Sequence, residues 1–126
     1  MIHHIPNVLT KEQVHYFRTE MDKVNWVDGK VSTGSLSANV KQNQQLPEDH
    51  PLTSHLGDII LDALSKHPLF ISAALPLNIL PPYFNRYENG ETFGFHVDNS
   101  IRWIKGTNQK VRTDLSCTLF LSEPEE

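Results

Sequence analysis

The 126-residue sequence predicts an α+β fold that becomes mainly β after residue 83. Two patterns carry this reading. Apolar residues recur at three- and four-residue spacing in two stretches before residue 66, and single alternation flanks the pair Asn89-Gly90. A third observation bounds it. With 38% hydrophobic and 21% charged residues, the composition excludes a disordered, collagen-like or coiled-coil chain. At 14.4 kDa there is room for one domain.

The first helix is expected over residues 11–24. Thr10-Lys-Glu-Gln13 has the capping-box pattern, and Val14, Phe17, Met21 and Val24 form an apolar stripe behind it. A second helix is expected over Pro51–Ser65. Pro51 suits a first helical position, Leu52, Leu56, Ile59, Ile60, Ala63 and Leu64 supply the stripe, and His67-Pro68 ends it. Between the helices, Trp26–Val31 and Ala38–Asn43 read as short strands separated by Gly29 and Gly34. Leu75–Pro82, with three prolines, reads as an extended connection.

Asn89-Gly90 is the strongest local signal, because both residues tolerate the positive φ of a tight hairpin turn. A hairpin with this tip sets Asn85 opposite Gly94 and Tyr83 opposite His96. One face then holds Tyr83, Asn85, Tyr87, Thr92, His96 and Asp98; the other holds Phe84, Arg86, Phe93, Phe95 and Val97. Asn99–Thr113 reads as a long basic loop with Arg102, Lys105, Lys110 and Arg112. A last strand is expected over Asp114–Ser122, with Leu115, Cys117, Leu119 and Leu121 on one side and Cys117 buried as a small hydrophobe.

The net charge of −4 disfavours non-specific nucleic-acid binding, which needs a basic face to displace phosphate counterions. No segment approaches a membrane span, and the N-terminus lacks the regions of a secretory signal. The single cysteine suits a reducing compartment, so a cytoplasmic protein with no membrane or nucleic-acid partner is expected.

His96-Val97-Asp98 places an imidazole and a carboxylate two apart on an extended chain, hence on one face. They supply two-thirds of the 2-His-1-carboxylate triad of non-haem Fe(II) oxygenases, whose open metal positions accept a bidentate co-substrate and dioxygen. Alone, the spacing is a weak signal: chance supplies about 0.4 such pairs in a chain of this composition. A hydrogen-bonded His–Asp pair is the bland reading. The polar face of Tyr, Asn, His and Asp around it favours a binding site, since a polar interior is costly unless it holds something.

In order, these signals resemble a family. The segment Asn85–Asn99 is similar to the Tyr…Gly…His-x-Asp region of Fe(II)- and 2-oxoglutarate-dependent prolyl and lysyl hydroxylases. The chain more closely resembles the bacterial PKHD-type hydroxylases associated with iron uptake, through Trp26–Gly29, Val40–Gln45, Ala73–Pro76 and Arg112–Ser122 as well. That resemblance implies a double-stranded β-helix (jelly roll) with N-terminal supporting helices, and the use of Fe(II), 2-oxoglutarate, ascorbate and O2. On it, residues 1–77 are the helical and short-strand support and 78–126 the first part of the dioxygenase domain. His96 and Asp98 match the first two iron ligands, and Tyr87 a tyrosine beside the oxoglutarate. Asn85, Asn99 and Arg102 are placed toward the substrate by position alone.

The distal His ligand and the Arg for the oxoglutarate C5 carboxylate belong to a later strand of the family, beyond Glu126. His3, His4, His15, His50, His55 and His67 lie in or around the helices as solvated or helix-surface residues and are poor third ligands. Arg86 falls on the wrong face of the hairpin, and Arg112 precedes its strand. A jelly roll needs about eight strands, and only five or six are legible here. The chain is thus expected to be the front part of a domain, with its C-terminal strands absent, binding iron weakly and turning over little. Two rival classes stay open: a Zn2+ or Mn2+ hydrolase using the same His-x-Asp, and a non-catalytic jelly-roll binding module. The natural substrate and oligomeric state, homo-oligomer included, are not legible.

Overall fold

In the computed structural model, residues 1–32, 41–94, 96 and 98–126 are described. Helix α1 runs Lys11–Met21. Its N-terminus closes reciprocally: Gln13 N–H donates to Thr10 Oγ1 at 3.1 Å, and Thr10 N–H donates to Gln13 Oε1 at 2.9 Å. It stops three residues before the expected end. Lys23 and Val24 N–H bond to the carbonyls of Glu20 and Met21, the tighter i→i+3 pattern of a closing turn, and Trp26 Nε1 also donates to Met21 O at 3.2 Å.

Helix α2 spans Pro51–Ser65, with His50 as N-cap: its Nδ1 accepts from Leu52 N–H at 3.0 Å. The chain after His67-Pro68 does not extend at once. A third helix, α3, covers Pro68–Ala74, because a proline is equally at home in the first turn of a new helix. His67 caps it, its Nδ1 accepting from Phe70 N–H while Nε2 donates to Pro6 O at 3.0 Å. Leu75 closes α3 in the left-handed region at φ 44°.

The three helices pack Phe17, Met21, Leu56, Ile60, Leu64 and Phe70 into one core, which also takes Leu46 and Phe84 from outside the helices. Burial of the apolar stripes, rather than helix propensity, holds these short helices.

Against them lies a three-stranded antiparallel sheet in the order β1 (Val27–Asp28), β2 (Gln44–Gln45), β3 (Asn85–Arg86). Val27 pairs with Gln45, and Gln45 with Asn85. The expected strand over Trp26–Val31 ends at Asp28, where a 3-10 turn over Gly29–Ser32 begins. Of the expected strand Ala38–Asn43, residues 38–40 lie outside the described residues, as do Gly34, Phe95 and Val97.

The Asn89-Gly90 turn forms as expected, with φ 52° and 80° and Glu91 N–H on Glu88 O at 2.9 Å. The ladder expected behind it is absent among the described residues. Both arms line up instead along the segment 41–46: Leu46 N–H bonds to Phe84 O, Gln42 N–H to Thr92 O, and Lys41 bridges Phe93. A distant strand with free backbone groups outcompetes the local partner.

Two further expectations are corrected. The basic loop is a hairpin, β4 (Ile101–Trp103) against β5 (Lys110–Arg112), turning at Gly106 with φ 78°. Residues Asp114–Ser122 form no strand, since no neighbouring strand among the described residues supplies ladder bonds. Leu119 and Leu121 still pack on the core, but Leu115, Phe120 and Cys117 are exposed, so Cys117 is not the buried hydrophobe expected. No described helix is long and apolar enough to cross a membrane.

Candidate metal centre

The site is built on the arm that follows the Asn89-Gly90 turn. His96 and Asp98 converge as their spacing requires, with Nε2 and Oδ1 3.2 Å apart. His96 Nδ1 lies 2.7 Å from Gly94 O. A carbonyl only accepts, so Nδ1 carries the hydrogen and Nε2 is the ring atom that faces the carboxylate. An imidazole whose other nitrogen is fixed by a backbone carbonyl is also the usual arrangement of a metal-binding histidine. The donor set fits a divalent transition metal. Its side chains are 28% and 69% exposed, so the pair sits at an open surface.

The imidazole lies flat on Phe93, with centroids 3.7 Å apart and planes at 11°. This corrects the expected faces, which put Phe93 opposite His96; once the two arms leave the hairpin ladder, strict alternation no longer governs them. Among the described residues, no three His, Cys, Asp or Glu side chains gather around one point.

The other site residues of the sequence reading lie as follows. Tyr87 is half exposed. Asn85 lies on β3, where its Oδ1 accepts from Asn43 Nδ2 at 3.5 Å. Asn99 accepts from the Thr113 hydroxyl through its backbone carbonyl. Arg102 bonds to the Tyr83 hydroxyl and lies over that ring, 4.9 Å from its centroid. Burial pushes the Tyr83 phenol up, against the opposing effect of the Arg102 charge.

The arginines set aside earlier are engaged elsewhere. Arg86 stacks on Trp26 at 4.4 Å and donates to Gln44 Oε1, and Arg112 pairs with Asp114 at 2.7 Å. Of the remaining histidines, His3, His4 and His15 are exposed and His55 meets the Tyr16 hydroxyl at 3.1 Å. His50 and His67 sit at helix ends as N-caps, a role the sequence reading did not assign them.

Sequence reasoning passed over Lys41, Asn43 and Gln45. They are 6%, 3% and 0% exposed, a row of inward polar side chains at period two. The signal was present in the alternation within 41–45.

An α+β scaffold with His96 and Asp98 brought together after the Asn89-Gly90 turn defines a candidate metal-binding site. No family model matches the chain. Over all 126 residues it is 77% identical to a PKHD-type hydroxylase of Acinetobacter baumannii strain AYE, 66% to one of Acinetobacter baylyi and 60% to one of Methylobacillus flagellatus. The chain belongs to the PKHD-type hydroxylase family, and it spans 56% of the length of these relatives.

Proposed function

We propose that the chain carries the first two metal ligands of an Fe(II)- and 2-oxoglutarate-dependent dioxygenase, which hydroxylates a C–H bond while 2-oxoglutarate is decarboxylated to succinate. The observation that carries this reading is the His96–Asp98 pair, with its imidazole oriented by Gly94 O and its Nε2 facing the carboxylate. His96 and Asp98 hold the metal; Fe(II), when bound, supplies dioxygen activation next to the co-substrate, with ascorbate keeping it reduced. Gly94 O fixes the ring tautomer, and Phe93 fixes the ring plane. Tyr87 orients the oxoglutarate, and Asn85, Asn99 and Arg102 face the substrate.

In this reading the third ligand, a histidine, and the oxoglutarate arginine lie in the part of the relatives that these 126 residues do not match. That part completes a jelly roll, with residues 1–77 as its support and 78–126 as its first strands. The protein works in the cytoplasm, in a role tied to iron uptake.

The test is succinate formation by the chain extended with the unmatched part of the Acinetobacter baumannii relative. Turnover is expected to need both Fe(II) and 2-oxoglutarate and to fall at least about 100-fold in His96→Ala, as loss of a ligand demands. Undiminished activity in that variant refutes the assignment.

A further inference from the structure

We infer that this chain pairs with a second copy of itself, the outer face of each β4–β5 hairpin docking in the groove between α1 and α2 of the other protomer. The inference does not rest on the dioxygenase reading.

The hairpin is one half of the contact. Its register sets Ile101 opposite Arg112 and Trp103 opposite Lys110, and directly opposed residues share a face. That face is open to water: Trp103 is 60% exposed and Ile101 56%. Lys110 Nζ lies 4.8 Å from the centroid of the Trp103 ring. The opposite face carries Arg102, whose bond to the Tyr83 hydroxyl fastens the hairpin to the sheet side of the molecule. At the base, Thr113 N–H bonds to Ser100 O at 2.8 Å. Residues 101–112 contain four cations and no acid. Arg112 pairs with Asp114, whereas Lys105 and Lys110 have no carboxylate partner among the described residues.

The groove is the complement. It has a volume of about 570 Å³ and is lined by the buried Phe17, the half-buried Ile59 and the acidic Glu12, Asp58 and Asp62, with no lysine or arginine. Asp62 pairs with Lys66, but Glu12 and Asp58 have no ion-pair partner among the described residues. The Tyr16 hydroxyl and His55 Nε2 meet at 3.1 Å between the two helices, their rings edge to face at 85°. An indole entering here gains apolar and aromatic contacts, and lysines beside it meet two free carboxylates.

The occupant follows from that match. Two free lysines flank an exposed indole on the hairpin, and two free carboxylates flank an apolar groove. Within one molecule the halves do not meet, since Trp103 stays exposed, so the groove of another copy receives it. A two-fold axis makes the contact twice and closes a dimer. Nucleic acid, the rival partner for a basic aromatic ribbon, is disfavoured by the net charge of −4. Strand β4 follows Asp98 after only Asn99 and Ser100, so docking would also steady the arm that carries the metal pair.

The test is sedimentation equilibrium of the 126-residue protein. A contact this small is weak, so a dimer Kd on the order of 10–300 µM is expected at about 50 mM salt, several-fold weaker at about 500 mM. Trp103 emission should move to shorter wavelength over the same concentrations as its indole leaves water. Reversing the hairpin (Lys105→Glu with Lys110→Glu) or the groove (Glu12→Lys with Asp58→Lys) should weaken pairing about tenfold or more. All four residues are exposed, so both variants keep the core. Mixing the two variants should restore pairing, because each hairpin then faces a groove of opposite charge.

A monomer up to about 1 mM, pairing that survives both reversals, or a mixture that stays monomeric overturns the proposal. Growth past the dimer overturns the two-fold arrangement. The chain extended with the unmatched part of the Acinetobacter baumannii relative should pair as tightly. A monomer there would mean that the added part covers the hairpin or the groove, and would overturn the proposal as well.

Discussion

Gly29→Ala probes how tightly the turn after β1 packs against Asn43. A methyl group at Gly29 would lie 1.7 Å from Asn43 Oδ1, 2.8 Å from Asn43 Cγ and 3.1 Å from Lys41 Cε. The first two contacts are too short to persist, so Asn43 must move, and it is 3% exposed with little room to do so. Overpacking of this kind costs about 1–3 kcal/mol, and the Gly29 N–H bond to Asn43 O at 3.0 Å adds about 1 kcal/mol if it breaks. For a domain of this size that lowers Tm by roughly 5–20 °C. Urea unfolding followed by circular dichroism measures it. The sharper measurement is the double-mutant cycle: on an Asn43→Ala background the clashing atoms are gone, so the cost should shrink by about 1 kcal/mol or more. A cost below about 0.5 kcal/mol, or an equal cost on both backgrounds, refutes the packing argument.

Other outcomes follow from single contacts. Leu75, 78% exposed and at φ 44°, pays for a left-handed backbone with a β-carbon, so Leu75→Gly should raise unfolding stability by about 0.5–1 kcal/mol. Thr10→Ala removes the hydroxyl that accepts from Gln13 N–H and should lower stability by about 1 kcal/mol in the same urea assay. Glu126 receives both guanidinium nitrogens of Arg18, at 3.0 and 3.1 Å, which together with Glu123 N–H holds its carboxyl below the usual range. A depressed folded-state pKa stabilises above the unfolded pKa and is lost as pH falls through the folded one. An NMR titration of the Glu126 carboxyl should therefore shift upward in Arg18→Gln, and an unmoved midpoint would show that Arg18 is not the cause.

What the sequence disclosed was local. The start of α2 and the cap of α1 need only residues within one turn, and Thr10, Gln13 and Pro51 carry them. The same locality explains the Asn89-Gly90 turn, whose φ values are a property of the two residues. Pairing was not legible, because the segment 41–46 that captures both arms lies about 40 residues away, and nothing in Tyr83–Phe93 encodes that preference over a hairpin. Pro68 was read as a stop when it is also a start. The alternation of Leu115, Cys117, Leu119 and Leu121 satisfied the pattern of a strand, but a strand exists only where a neighbour completes its hydrogen bonds.

At the site, His96 and Asp98 were legible because two-residue spacing brings side chains together on extended backbone whatever the pairing. The stack on Phe93 was not legible, since it depends on the lost ladder. Lys41 and Asn43 were hidden for another reason. A polar alternation ordinarily marks the solvent face, and only the fold turns this one inward.

The most direct test of the central claim is the metal content of the chain extended with the unmatched part of its relative, purified anaerobically. About one equivalent of iron is expected, held by His96, Asp98 and a third ligand, and it should be lost in both His96→Ala and Asp98→Ala. Iron retained in either variant, or zinc or manganese bound in its place, would contradict the account.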